Sequence, residues 1–225
     1  MFHVTPEEVQ RFYRHQSKIY DRTRWLFLFG RNDILSRIIG TGSPSRILEV
    51  GCGTGRNLAE LGRLLPAAHL TGVDLSSAML DCARKKLASF GDRIQLLHQR
   101  YDRPVSNLPN YDVVLFSYSL SMFNPGLETA IEAVRKDLLP GGCIAVVDFH
   151  DSRWRWFLTW MKLNHVRTDG QLRPLLQRDF TPIHDELRTA YGSAWRYLLY
   201  LGRQNSVGSL GNGRSPGQRQ PNVTN

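Results

Sequence analysis

Ile47-Leu48-Glu49-Val50-Gly51-Cys52-Gly53-Thr54-Gly55-Arg56-Asn57 is an apolar run that passes through an acid into three glycines at alternate positions, and a helical pattern follows. This predicts a buried strand, a tight loop and a helix N-terminus. Glycine lets the backbone approach a ligand where a side chain would block it, and the first turn of a helix offers unpaired N–H groups. The spacing is not that of the dinucleotide fingerprint, because Arg56 stands where that pattern needs its last glycine. A glycine turn also serves plain strand-to-helix connections, so the rest of the chain must decide between the two uses.

The chain alternates from residue 46 onward. Strands are expected at 46–50, 69–73, 94–98, 111–117 and 142–149, with helices at 56–65, 76–89 and 127–138. Strands alternating with helices predict a parallel sheet covered on both faces, with ligands beyond the carboxyl ends of the strands. Glycines 51–55 lie at such an end, and so do Asp74, the segment Phe116 to Met122, and Asp148-Phe149-His150. Asp74 follows the glycines by about 20 residues, the place for a carboxylate that accepts both hydroxyls of a ribose. A helix cap is its alternative role, although Ser76 already supplies that cap. Glu49, at the end of the first strand, reads by itself as a buried carboxylate satisfied by backbone N–H groups.

At 225 residues and 41% hydrophobic content, the chain is expected to form one domain, taken as residues 1–202. Residues 203–225 read as a disordered basic tail with three arginines and no acid. Cys52, Cys82 and Cys143 have no ligand-like spacing, so no metal site is expected and a reducing, cytoplasmic setting is. The chain opens with no signal-like leader and contains no apolar run of membrane-spanning length. A formal charge of +9 suits acidic partners such as phosphates or anionic lipid surfaces, and equally a basic soluble enzyme.

Thr5-Pro6-Glu7-Glu8 reads as a capped helix start, with Val9, Phe12, Tyr13 and Tyr20 on one face. Tyr20 to Arg31 mixes aromatics with arginines, and Ile34, Leu35, Ile38 and Ile39 give a further helical pattern. By analogy alone, such an N-terminal helical extension before the first strand is expected to act as a lid or substrate platform. Residues 153–163 carry Trp154, Trp156 and Trp160, with Arg155, Thr159 and Lys162 on one narrow face. The segment reads either as an interfacial helix or as a helix packed on the sheet. A short helix is expected at 171–178. Residues 187–191 and 194–201 then read as a β-hairpin with a two-residue turn at Gly192-Ser193.

Glu49-x-Gly51-x-Gly53-x-Gly55 resembles the first motif of class I S-adenosylmethionine (SAM) methyltransferases. That resemblance implies a Rossmann-like, seven-stranded, mostly parallel α/β sheet with helices on both faces and a C-terminal antiparallel hairpin. It implies SAM as methyl donor, held by Glu49, Gly51, Gly53, Gly55, Asp74, Leu75, Gln99 and Ser117. The family's adenine-binding acid is replaced here by Arg100, so Gln99, Asp102 or backbone groups are left to take the adenine.

Tyr13-Arg14-His15-Gln16, Ile19 to Arg24, Leu28 to Arg31, Ser117 to Met122, Val147-Asp148-Phe149 and Asn164 to Arg167 further resemble the betaine-lipid N-methyltransferases. A looser likeness extends to bacterial phosphatidylethanolamine N-methyltransferases. The resemblance implies methylation of the amino group of diacylglyceryl homoserine on the inner membrane face. An aminocarboxypropyltransferase partner on another chain or domain would make that lipid. Tyr20, Tyr118 and His150 are the candidate catalytic residues, and Arg24 and Arg31 the candidate substrate anchors. Each has a structural alternative: the end of an apolar stripe, packing under the cofactor, a cap, or solvated charge. No nucleic-acid partner is expected, since Ser117-Tyr118-Ser119-Leu120 stands where base methylases carry an Asn-Pro-Pro-Tyr type motif. A soluble small-molecule methyltransferase and a non-catalytic SAM-binding protein are the alternatives.

Overall fold

The computed structural model describes residues 28–123, 125–154, 158–159, 161, 166, 168–192 and 194–205. The expected helix from Thr5, most of the tryptophan segment and the tail from 206 lie outside the described residues.

The described chain begins at Leu28 and enters α1 (Arg31–Ile39), whose Ile34, Leu35 and Ile38 are buried. It then runs through β1 (Arg46–Val50), α2 (Arg56–Leu64), β2 (His69–Asp74), α3 (Ser77–Leu87), β3 (Ile94–His98) and β4 (Tyr111–Ser117). α4 (Leu127–Asp137), β5 (Leu138–Ser152), α5 (Leu172–Asp179), β6 (Phe180–Ala190) and β7 (Trp195–Gln204) complete it. Together they form a seven-stranded sheet in the order β3-β2-β1-β4-β5-β7-β6. β1 to β5 pair in parallel, and β7 runs antiparallel between β5 and β6. The chain thus builds outward from β1 on one side and from β4 on the other, and the crevice where this order reverses lies over β1 and β4.

Alternation along the strands sends side chains to two cores. Ile47, Val113, Leu115, Ala145 and Val147 pack with Ile34 and Ile38 of α1, Leu58 and Leu61 of α2, and Leu80 of α3. Leu48, Val114, Phe116, Ile144 and Val146 pack with Ile131 and Val134 of α4 and Leu172 and Leu176 of α5. Burial of both faces explains why β1 and β4 read as apolar runs rather than as alternating patterns.

Three differences from the sequence reading have physical causes. β5 is longer than expected, because its extension beyond Phe149 keeps pairing with β7, as far as Ser152 opposite Trp195. The hairpin turn is not the two-residue Gly192-Ser193. The strands pair only to Ala190 opposite Trp195, and Tyr191 takes a left-handed φ of 48°. Arg203 and Gln204 are not tail: they pair with Cys143 and Phe180, and Thr181 Oγ1 donates to Asn205 Oδ1 at 2.6 Å.

Candidate functional site

The glycine loop is held against the end of β2. The N–H groups of Gly51 and Cys52 both donate to the Val73 carbonyl, at 2.8 and 3.0 Å. Gly51 has φ +72°, and a Cβ there would lie 2.5 Å from the Cβ of Ser119. Ser119 comes from the segment after β4, and its Oγ donates to the Val50 carbonyl at 2.6 Å. Gly55 faces α3, with Leu87 Cδ1 at 2.7 Å from its Cβ position, so helix packing demands that glycine. Gly53 differs from both: its φ is +55° and nothing lies within 4 Å of its Cβ position. Of the three loop glycines, Gly53 is therefore the one whose backbone is bare to open space.

Asp74 closes this loop. One carboxylate oxygen accepts from Gly53 N–H at 2.7 Å, the other from Ser76 N–H at 2.9 Å. Burial raises its pKa against the pull of these N–H groups. Ser76 caps α3 through Met79 N–H, as expected. Each Asp74 oxygen keeps acceptor capacity beyond one N–H bond, which suits a diol. Leu75 and Gln99 flank Asp74. Both are half-buried; the Leu75 carbonyl meets His98 Nε2 at 2.9 Å, and Gln99 N–H donates to the Asp74 carbonyl at 3.3 Å. Arg100 and Asp102 pair on the surface at 3.6 Å. Gln99 is thus tied to Asp74 through its backbone, and His98 is the residue of this stretch whose charge acts on the carboxylate.

Glu49 ends β1 at 2% exposure. Its Oε1 accepts from Asn57 Nδ2 at 2.7 Å, and its Oε2 is buried with no hydrogen-bond partner. Burial pushes its pKa up to about 7, Asn57 and the charge of Arg31 pull it down, and Asp74 pushes it further up. A buried carboxylate oxygen without a partner costs free energy unless a donor is bound there, so the geometry fits a cationic ligand group at this point. Asn57 was missed in the sequence. Its signal was its place in the first turn after the loop, one helical turn from the backbone that Glu49 must serve.

Ser117 and Tyr118 leave β4 beside β1, where Phe116 pairs with Val50. The Ser117 hydroxyl is buried without a hydrogen-bond partner. Tyr118 holds a left-handed φ of 57° and is 4% exposed. A bulky residue in that conformation stores strain that the surroundings must impose. Its N–H donates to Val147 O at 2.8 Å, its hydroxyl donates to Phe29 O at 2.7 Å, and its ring meets Phe149 edge-on at 4.7 Å. Asp148, fully buried beside it, accepts from the N–H groups of Ser121 and Phe149 at 2.9 and 2.8 Å. Burial lifts the Asp148 pKa to about 6 and the Tyr118 pKa well above the phenol range. Tyr118 is therefore a strut between the β4 end and the segment before α1, and its hydroxyl does not ionise near neutral pH.

His150 follows Phe149 on β5. It bulges out of the β5–β7 ladder, and its carbonyl accepts from Gly170 N–H at 3.1 Å. The charges that it feels belong to Asp151, Arg196, Arg173 and Asp185. Tyr118 feels Asp148, Tyr197 and Arg31. Tyr118 packs on Phe149, whereas the next residue, His150, has its ring against Gly170, with Cε1 at 3.4 Å from that glycine's Cβ position. Burial lowers the His150 pKa, so the ring is neutral at pH 7, and its Nδ1 has no hydrogen-bond partner. Arg31 opens α1, near enough for its charge to act on both Glu49 and Tyr118. Tyr20 and Arg24 lie outside the described residues. Among the described residues, no group of His, Cys, Asp or Glu could hold a metal ion, and no helix is long and apolar enough to cross a membrane.

Residues 47–142 match the family described as "Methyltransferase domain". A malonyl-[acyl-carrier protein] O-methyltransferase of Priestia megaterium is 36% identical over 103 residues, which are 46% of this chain and 36% of that enzyme. The chain spans less than two thirds of the curated relatives that it matches: 36%, 40% and 60% of three of them. Among solved structures, a 1,6-didemethyltoxoflavin N1-methyltransferase of Burkholderia thailandensis, with its acceptor and S-adenosylhomocysteine bound, aligns with a TM-score of 0.68 at 17% identity. That alignment covers 91% of this chain and 92% of that one. The [4+2]-cyclase SpnF aligns with a TM-score of 0.73 at 16% identity, over 89% of this chain and 96% of that one. At these identities the likeness is one of fold, and a fold hosts more than one chemistry.

Proposed function

We propose that the chain is a class I SAM-dependent methyltransferase, as the match of residues 47–142 to a methyltransferase domain supports, and that it methylates the amino group of a membrane-lipid headgroup, converting diacylglyceryl homoserine into its trimethylated betaine lipid. The observation that carries the cofactor half is the orphaned Glu49 Oε2 at the β1 end, one loop away from the bare backbone of Gly53 and the Asp74 carboxylate. Asp74 accepts the ribose hydroxyls, Gly53 gives the backbone room to approach, and Glu49 Oε2 takes the methionine ammonium. Arg31, whose charge already reaches Glu49, holds the adjoining carboxylate of the cofactor rather than that of the acceptor. Gln99 takes the adenine edge.

The bound cofactor supplies a sulfonium methyl for in-line displacement by a neutral amine, a reaction that depends mostly on positioning and electrostatics. The amine lone pair forms the new N–C bond as the S–C bond breaks, and the amine proton leaves to solvent. Tyr118 holds the β4 end in register, and its ring with Phe149 gives the amine an apolar, aromatic wall that favours the neutral nucleophile. The lipid acceptor is supported by the likeness of residues 13–31 and 117–122 to the betaine-lipid enzymes and by the basic, tryptophan-rich stretch from Arg153. A carboxylate acceptor is the second reading, favoured by the 36% identity to a malonyl-[acyl-carrier protein] O-methyltransferase.

Incubation with methyl-labelled SAM and either total lipid extract or soluble carboxylic acids separates the two. Label in an amino-lipid supports the first; label confined to a carboxylate ester overturns it.

A further inference from the structure

Two of the exposed large apolar side chains stand on neighbouring loops. Trp154, 45% exposed, lies on the segment leaving β5, and Tyr191, 52% exposed, lies in the β6–β7 turn. Ser152 ties these loops together. Its Oγ donates to the Ala194 carbonyl at 2.7 Å and accepts from the Trp154 N–H at 3.0 Å. The carboxyl end of β5 is also the edge where β1, β2 and β4 deliver the loop, Asp74 and Tyr118, because these strands are parallel. Aromatic contacts run inward from this edge. Tyr191 meets Phe29 edge-on at 5.2 Å and Trp195 at 5.1 Å, and the carbonyl of Phe29 accepts the Tyr118 hydroxyl.

Tyr191 holds its place at φ 48°, a conformation that glycine or asparagine adopts more easily. Its ring is half out of the protein, and the covered half packs on Phe29 and Trp195. Trp and Tyr are the side chains that settle at a membrane interface, with an apolar body and a polar tip. Arg153 is exposed beside Trp154, and the chain carries a formal +9. That charge complements anionic headgroups.

We propose that the β6–β7 turn and the segment leaving β5 form one docking edge that seats on an anionic bilayer, with Tyr191 and Trp154 as paired interfacial anchors. The proposal rests on the lipid-amine reading and adds to it the part of the fold that meets the membrane. Seated in this way, the carboxyl edge of the sheet faces the headgroups, and the Phe29–Tyr118 contact joins the bilayer side to the cofactor side.

Flotation with phosphatidylcholine–phosphatidylglycerol vesicles tests it, using Tyr191→Asn, which keeps the left-handed turn, and Trp154→Gln. Each variant should partition about fivefold less, equivalent to about 1 kcal/mol. Ile183→Ser removes an equally exposed apolar residue near the other end of β6 and should partition like the wild type. S-adenosylhomocysteine binding reports folding in every sample; if Tyr191→Asn fails to fold, Trp154→Gln decides. Unchanged partition of the folded variants overturns the docking edge, as does an association of two copies that the same variants abolish. Labelling of an amino-lipid alongside unchanged partition would sink the edge alone. Vesicle binding without labelling of any amino-lipid would sink the acceptor assignment and leave the edge standing.

Discussion

Asn57 holds one oxygen of Glu49 at 2.7 Å and leaves the other buried and unpartnered. The hydrogen bond favours the ionised carboxylate, and burial opposes it. Asn57→Ala removes the favourable part and raises the Glu49 pKa above its present value of about 7. S-adenosylhomocysteine affinity, measured by calorimetry, should rise with pH through about 7 in the wild type and shift to higher pH in Asn57→Ala. A pH-independent affinity in both proteins would remove Glu49 from the cofactor site.

The same carboxyl makes the ligand-free protein pH-sensitive. Its folded pKa, about 7, lies above the unfolded 4.5, so the folded state binds more protons in that window. Stability therefore falls as pH rises from about 4.5 to about 7, and Asp148, raised from 3.8 to about 6, acts with the same sign. Glu49→Gln should flatten the dependence and stabilise the ligand-free protein at pH 8 by on the order of 2 kcal/mol. It should also lose cofactor binding. Chemical denaturation across pH checks this, and a variant less stable than the wild type at pH 8 would refute it.

Gly51 and Gly53 should respond differently to alanine. A Cβ at Gly51 meets Ser119 at 2.5 Å, so Gly51→Ala should lower stability by about 2–3 kcal/mol. A Cβ at Gly53 enters open space, so Gly53→Ala should cost about 1 kcal/mol of stability, yet weaken S-adenosylhomocysteine at least tenfold. Thermal melts with and without ligand separate the two. Equal ligand-induced shifts in wild type and Gly53→Ala would place the cofactor elsewhere.

Asp74→Ala removes the acceptor for Gly53 N–H as well as the proposed ribose contact. Affinity for S-adenosylhomocysteine should fall about a hundredfold, in line with one or two charged hydrogen bonds. An unchanged dissociation constant would reduce Asp74 to a loop fastener.

Proton transfer to solvent makes two mild variants informative. Tyr118→Phe loses the bond to Phe29 O, about 1 kcal/mol of stability, and should lower kcat only a few-fold. His150→Gln should do the same, because the His150 ring lies against Gly170 and feels the charges of Asp151, Arg196, Arg173 and Asp185. Either residue acting as general base would instead cost about a hundredfold or more.

The strands β1, β3 and β4 were legible to the residue: β1 and β4 are doubly covered parallel strands, which read as short apolar runs bounded by turn residues, and β3, at the sheet edge, follows the same spacing of Ile94, Leu96 and Leu97 between polar residues. Ser76 as the cap of α3 was legible for a similar reason, since its bond to Met79 spans three residues. The β6–β7 turn was not. Phe29, more than 160 residues away in sequence, packs on Tyr191 and Trp195, and local turn propensity carries no trace of that contact.

By itself the sequence determined the alternating α/β order, the glycine loop at the end of β1 and the acid at the end of β2, because these depend on periodicity and short spacings. The tertiary structure alone decided which side of the loop stays open. Ser119 fills the space at Gly51, Leu87 fills it at Gly55, and Gly53 is left bare. It also decided that Glu49 pairs with Asn57, that Tyr118 is a strut to Phe29, and that the His150 ring lies against Gly170. Each of these outcomes depends on which strand lies next to which, and strand order is fixed by packing across the whole sheet rather than by any one stretch of chain.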